Sequence, residues 1–285
     1  MPPPAPLALY IHLPFCRVKC SYCAFAISTR TGLEPEYMSA LLREVETRIP
    51  EAQPVGSLYL GGGTPSLTSP FALQRLFDAL GARIRIEPGA EITLEANPED
   101  VTPSSVRFWR ERLGINRLSL GVQSFHDQEL IPLGRFHGRD GALAALSLLA
   151  EQTDLRTSLD LITGLPGQTV ESFVESVEIA IQSGVGHVSI YMLDLEEGSA
   201  LASRVTQGLI DLPAEEEAVE SWLAAREALL DAGFLHYEIS NYAKPGEQSR
   251  HNLVYWRRDP YVGLGLAAHS FLEGKRQANS RDIGE

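Results

Sequence analysis

The chain has only three cysteines in 285 residues. An odd count excludes a closed set of internal disulfides. No apolar run approaches the ~20 residues needed to span a bilayer. The opening MPPPAPLALYIHLPFC has no basic start, no long apolar segment and no small-residue cleavage site, so it does not read as a secretory leader. Basic residues are in the minority, 24 Lys and Arg against 37 Asp and Glu, for a formal net charge of −13 and a pI near 5.0. Such a chain repels phosphate, which excludes general binding to nucleic acid; membrane association is expected only through partners. Low-complexity tracts and 20–50-residue sequence repeats are also missing. These absences predict a cytoplasmic protein in a reducing compartment, where free thiols act as ligands or catalysts.

What is present is globular: 44% hydrophobic and 21% charged residues, enough for one large α/β domain or two smaller ones. Pro2, Pro3, Pro4 and Pro6 cannot propagate a helix, so residues 1–6 read as a flexible tail. Strand signals recur at 7–13, 57–60, 91–97, 117–121, 158–162 and 188–193. Between them, apolar residues at helical spacing predict helices over 36–49, 71–80, 104–113, 141–150 and 170–183. Thr102-Pro103 and Thr169 with Ser172 are start signals, and Gly81, Gly114 and Gly184 are stop signals. This makes six βα units between residues 7 and 200. Alternating β and α predicts a parallel sheet with right-handed crossovers. A full eight-stranded barrel needs ~250 residues, so a partial (β/α)6 barrel is expected, with a doubly wound sheet as alternative. Residues 201–285 break the rhythm. They hold a helix over 215–232 and a segment rich in aromatic and basic residues, and form a smaller α+β region.

The three cysteines are Cys16, Cys20 and Cys23, in the loop after the first strand. A structural zinc site takes four protein ligands, and His12 lies before the turn. A [4Fe–4S] cluster normally takes four cysteines, so three would leave one iron open to a small molecule. The spacing C-x3-C-x2-C, with Tyr22 before the last cysteine, resembles that of radical S-adenosylmethionine (radical SAM) proteins. The resemblance implies a complete or partial barrel, a cluster on the three thiolates, and SAM chelated to the open iron. In that family the reduced cluster passes an electron to SAM, and a 5′-deoxyadenosyl radical forms.

Further residues lie at strand ends, where parallel barrels place their sites. Gly61-Gly62-Gly63-Thr64-Pro65 follows the second strand, Glu95 ends the third, Gln123 follows the fourth, Arg135 comes twelve residues later, and Asp160 lies in the fifth. Their order resembles the oxygen-independent coproporphyrinogen III oxidase family. The resemblance assigns SAM contacts to Tyr10, Gly62, Gly63, Thr64, Glu95, Gln123, Arg135 and Asp160, and more weakly to Tyr22 and Met192. That family divides into true oxidases and a HemW type of haem chaperones. The oxidases carry a fourth cysteine two residues on, where Phe25 stands here, and an N-terminal extension, where only fifteen residues precede Cys16. Both departures favour the haem-chaperone type.

His251-Asn252-Leu253-Val254-Tyr255-Trp256 matches the HNxxYW motif of that type, linked to haem binding. It implies haem contacts from His251, Tyr255 and Trp256, with Arg250, Arg257 and Arg258 available to propionates. The resemblance thus implies three cofactors, a [4Fe–4S] cluster, SAM and haem, with a haem-acceptor protein and an electron donor as partners. It assigns no catalytic residue and leaves open whether the chain is an enzyme. The alternative is an oxidase that decarboxylates coproporphyrinogen propionates. Gly263-Leu-Gly265-Leu-Ala-Ala267 partly matches a dinucleotide fingerprint, but it lies outside an early βα unit and reads as close backbone packing or as lining of the haem region. Family members continue past residue 285 into a small C-terminal domain, so the chain is expected to be a truncated piece.

Overall fold

The computed structural model describes residues 6–283. The expected tail over 1–6 therefore lies outside the described residues, apart from Pro6. The first part alternates as β1 (Leu7–Leu13), α1 (Glu34–Arg48), β2 (Gln53–Gly62), α2 (Pro70–Gly81), β3 (Ile84–Ala96), α3 (Pro103–Leu113), β4 (Arg117–Gln123), α4 (Asp127–Leu130), α5 (Gly138–Ala150), β5 (Arg156–Thr163), α6 (Val170–Gln182) and β6 (His187–Met192). The second part holds α7 (Ala200–Thr206), α8 (Glu215–Asp231), β7 (Leu235–His236), β8 (Asn241–Ala243), α9 (Arg250–Arg257), β9 (Tyr261–Leu264), β10 (His269–Leu272) and β11 (Lys275–Ala278).

Strands β1 to β6 pair in parallel and in sequence order. The sheet stays open, with β11 and β7 at its ends. This is the expected α/β architecture with a partial (β/α)6 core. Strands from the second part extend both edges: β9 lies parallel beside β1, and β8 lies antiparallel beside β6. The long connection through α9 therefore crosses beneath the open sheet.

Local chemistry explains the helices. Thr102 and Thr169 each accept the backbone N–H three residues on, and Ser105 and Ser172 answer as capping boxes. Gly114 ends α3 in the left-handed region, at φ 69°, which costs glycine little. Gly81 behaves differently from its expected stop role: α2 runs through it and Ala82 caps the end.

The two faces of the sheet divide by chemistry. Leu9, Ile11, Leu58, Leu60, Leu94, Leu118, Leu120, Leu159, Leu161, Val188 and Ile190 are fully buried against the helices. Burying each such side chain stabilises by roughly 1.5–3 kcal/mol. The inward positions are polar at every level: Tyr10, Tyr59, Thr93, Glu95, Arg117, Ser119, Ser158, His187, Ser189 and Tyr191 line one interior cavity of about 220 Å³. An ordinary closed barrel fills this space with branched apolar residues. Here the interior is built to hold polar groups. No helix among the described residues is long and apolar enough to cross a membrane.

Candidate functional site

The cysteines lie on the loop after β1, which is tied down at several points. Cys16 N–H donates to Ser28 O at 3.0 Å, and Ser28 N–H donates to Pro14 O at 2.8 Å, closing its base. Ser21 is held by Leu133 O and Leu201 N–H. A tight turn puts Cys23 N–H 3.1 Å from Cys20 O. All three thiols are free and half-buried. Burial pushes the Cys16 thiol up to about 11, while the Thr64 hydroxyl, 3.4 Å from its sulfur, acts the other way. Among the described residues no three His, Cys, Asp or Glu side chains converge as a site for a single metal ion. The donor set itself, three thiols on one loop, suits a cubane with one iron left open and is one ligand short of a structural zinc site. His12 is engaged elsewhere, with Nε2 2.8 Å from Ala26 O and Nδ1 3.1 Å from the Tyr10 hydroxyl.

The glycine run is shaped by this loop. Gly63 N–H donates to Leu13 O and Thr64 N–H to Phe15 O, both at 2.9 Å. A Cβ on Gly63 would stand 2.6 Å from Pro14 O. Gly62 adopts φ 117°, and a Cβ there would stand 2.6 Å from the His12 ring. Only glycine lets the two segments approach so closely.

Glu95 reaches from the end of β3 toward the same run. Its Oε2 accepts Gly62 N–H at 3.0 Å, and its Oε1 accepts the Tyr59 hydroxyl at 2.8 Å. Burial raises the Glu95 carboxyl to about 7. Asp160, in β5, is raised by burial to about 6, with Ser189 and Ser119 hydrogen bonds opposing. The Ser119 hydroxyl lies 3.2 Å from Asp160 Oδ2. Two buried carboxylates at one rim form a site for amine or hydroxyl donors.

A second group collects opposite them. Arg135 Nη1 donates to Asn97 Oδ1 at 2.6 Å, and Nη2 donates to the Tyr22 hydroxyl at 3.2 Å. Arg135 Nε is buried with no partner among the described residues. That orphan donor fits a ligand carboxylate. Gln123 sits at a register break in β4 with φ 70°, a left-handed conformation that non-glycine residues rarely take. The break turns its side chain back, so a Cβ on Gly121 would lie 3.0 Å from Gln123 Nε2 and 3.6 Å from Arg135 Nη2. Met192 ends β6 half-exposed and joins neither group.

The HNLVYW segment forms most of α9. His251 is buried, with Nδ1 3.0 Å from the Ser57 hydroxyl and Nε2 2.8 Å from the Tyr255 hydroxyl. Its N–H donates to Glu91 Oε1 at 3.0 Å. Burial drives the imidazole down to about 3, so it is neutral. Tyr255, 37% exposed, lines the interior cavity with its ring edge-on to His251 and Tyr261, while Trp256, 49% exposed, stands beside the exposed Arg257 and Arg258. Tyr255 and His251 line the interior cavity of about 220 Å³, together with Tyr10, Tyr59 and Glu95.

Residues 10–180 match the model of the radical SAM superfamily. The chain is 40% identical over 283 residues to a heme chaperone HemW of Synechocystis, covering 97% of this chain and 68% of that protein. It is 40% identical over 278 residues to heme chaperone HemW of Escherichia coli, covering 95% and 72%. This chain belongs to the HemW family of the radical SAM superfamily. The solved structure of the Escherichia coli coproporphyrinogen III oxidase HemN, itself a radical SAM enzyme, superposes with a TM-score of 0.84 at 24% identity, over 98% of this chain and 68% of that one. At that identity the likeness speaks for the fold.

Within this HemW-family fold, three residues stand out that sequence reasoning missed. Tyr59 holds Glu95, Asn97 holds Arg135, and Ser119 holds Asp160. Their signal was the spacing of two: Tyr59 with Ser57 and Gly61 on one face of β2, Ser119 with Arg117 on β4, and Asn97 two residues after Glu95, just past the end of β3. Gly263 and Gly265 behave as expected for close packing. A Cβ on Gly263 would stand 2.1 Å from His269 O, and one on Gly265 2.4 Å from the Tyr37 hydroxyl.

Proposed function

We propose that the chain is a haem chaperone. It holds a [4Fe–4S] cluster on Cys16, Cys20 and Cys23, binds SAM at the sheet rim, and carries haem for transfer to an acceptor protein in the cytoplasm. The observation that carries this reading is the 40% identity with heme chaperones over nearly the whole chain. Phe25 at the position of the oxidases' fourth cysteine supports it.

When bound, the cluster supplies one electron and an open iron for SAM. The chain's own residues do the rest. Thr64 steadies Cys16, and Gly62 and Gly63 bring backbone against the cluster loop. Glu95 and Asp160 offer carboxylates to the amine or ribose hydroxyls of SAM, and Arg135 with Gln123 faces its carboxylate. Tyr10 and Tyr22 border the two groups through ring and hydroxyl contacts, and Met192 stands at the open side.

Haem is placed on the outer face of α9. Trp256 offers aromatic surface there, Arg257 and Arg258 offer partners for propionates, and Tyr255 reaches the haem region from the cavity side. For His251 to serve as axial ligand, its Nε2 must leave the Tyr255 hydroxyl. An electron donor and a haem acceptor complete the partners.

The test is a pair of assays on the reconstituted protein under anaerobic, reducing conditions. Haemin titration is expected to saturate with a defined absorbance band, and coproporphyrinogen III is expected to remain unconverted. Formation of protoporphyrinogen would overturn the reading in favour of an oxidase.

A further inference from the structure

The motif helix and the rim carboxylates belong to different parts of the sequence, yet one side chain touches both. Tyr59 lies in the middle of β2. Its ring stacks on His251, with centroids 5.1 Å apart and planes at 28°. On its other side it stacks on Tyr10, at 6.0 Å and 24°. Its hydroxyl donates to Glu95 Oε1 at 2.8 Å. Glu95 in turn accepts Gly62 N–H, in the run that supports the cysteine loop. All four of Tyr10, Tyr59, Glu95 and His251 line the same cavity.

This contact set has two ends that can be pulled. His251 is enclosed, and both its ring nitrogens are satisfied within the protein. Nε2 is held by Tyr255 of the same helix, but Nδ1 is held by Ser57 of β2, so a shift of α9 against β2 breaks the Ser57 contact and slides the imidazole along the Tyr59 ring. At the other end, a ligand that donates to Glu95 Oε1 competes with the Tyr59 hydroxyl for that oxygen and pulls it from its present geometry. A buried hydroxyl left without a partner is costly, so Tyr59 must then re-orient. The same ring cannot re-orient without disturbing its stack on His251, because interiors are close-packed.

We propose that Tyr59 is a positioning residue that couples SAM occupancy at Glu95 to the conformation of the HNLVYW helix α9. The inference rests on the SAM reading of Glu95 given above. It adds that the two ligand regions exchange free energy through one tyrosine. By linkage the coupling is reciprocal: whatever SAM does to α9, a shift of α9 does to SAM affinity.

The test uses the full chain with its cluster reconstituted, and measures SAM affinity together with hydrogen exchange of the α9 amides. Tyr59→Phe keeps the stacked ring and deletes the hydroxyl. In the wild type, SAM is expected to change α9 exchange rates at least about fivefold, the lower end of ordinary allosteric coupling. In Tyr59→Phe no hydroxyl loses its acceptor, so SAM is expected to bind at least as tightly as to the wild type and to leave α9 exchange unchanged. Exchange in α6, remote from the cavity, serves as the control that the variant is folded. If SAM alters α9 exchange equally in both proteins, or binds the wild type without altering it, the coupling is overturned while the SAM site stands. If SAM does not bind the wild type at all, the SAM reading falls and takes the coupling with it.

Discussion

Arg117 and Glu91 form a fully buried ion pair, with Arg117 Nε 2.9 Å from Glu91 Oε2. The pair sits on the inner face at the start of β4 and in β3, and it gathers the second part of the chain. Arg117 also donates to Ser158 and to Glu247 O, and Glu91 accepts from Ser249 and from His251 N–H. Breaking one partner leaves a buried charge uncompensated, at about 3–5 kcal/mol. Arg117→Met is therefore expected to lower stability by that amount, read from denaturant unfolding. The double variant Glu91→Gln with Arg117→Met should cost clearly less than the sum of the two singles. Strict additivity would show that the pair is not coupled.

The cysteines carry no disulfide and little of the core. Cys16→Ser, Cys20→Ser and Cys23→Ser should each retain the fold by circular dichroism yet lose iron and sulfide after anaerobic reconstitution. Full loading of any one of the three would remove that residue from the ligand set.

Gly63→Ala addresses the contact between the glycine run and the cysteine loop. The new Cβ would meet Pro14 and Phe15 backbone, which cannot swing aside as a side chain can. Overpacking of this kind costs about 1–3 kcal/mol. The cluster loop should be displaced, so the expected readout is reduced iron loading together with a lower melting temperature. Gly134→Ala, where no atom lies within 4 Å of the added carbon but φ is 75°, serves as a control for backbone strain without a clash.

Much of this was legible in the sequence, and the exceptions share a cause. Strand β1 coincides with the expected span, and the helix starts at Thr102 and Thr169 were visible because their signals are local. Strands β7 to β11 were not seen. They are two to four residues long, and their pairing depends on distant partners, such as β9 beside β1. Tyr59 was hidden for a different reason. In SLYL it passes for one more apolar strand residue, and only pairing with β1 and β3 places it between Tyr10 and Thr93 on the polar face. Parallel strands covered on both faces ordinarily read as unbroken apolar runs. The alternation in EITLEA, RLSLG and SLDL was thus the sequence's sign of a polar interior.

Glu95 is protonated below about pH 7 in the ligand-free protein, because burial disfavours its charge. In the proposed SAM site, its carboxylate form is the one that would accept from SAM. SAM affinity is therefore expected to fall as pH drops through 7, as measured by equilibrium dialysis. Glu95→Gln should weaken binding by about tenfold or more, since hydrogen bonds to charged groups contribute roughly 1.5–3 kcal/mol. It should also flatten the pH dependence. An unchanged profile in the variant would assign the titration to another group, Asp160 being the nearest alternative.

Stability should respond to acid with the opposite sign for two buried histidines. His251 and His187 are both pushed down to about 3, chiefly by burial, against an ordinary value of 6.5. Between pH 6.5 and 3 the unfolded chain binds protons that the folded chain refuses. Each histidine therefore contributes stability that is present above pH 6.5 and is lost as pH falls toward 3, by up to about 1.4 kcal/mol per pH unit. Glu95 and Asp160, raised by burial, act the other way and favour the folded state as pH drops through 7 and 6. The net slope thus mixes both signs, and a substitution separates them. His187→Asn cannot take up a proton, so its urea-unfolding free energy should fall less steeply than that of the wild type between pH 6.5 and 5. Parallel curves for the two proteins would show that His187 titrates alike in the folded and unfolded chain, and that its burial is not the source of acid sensitivity.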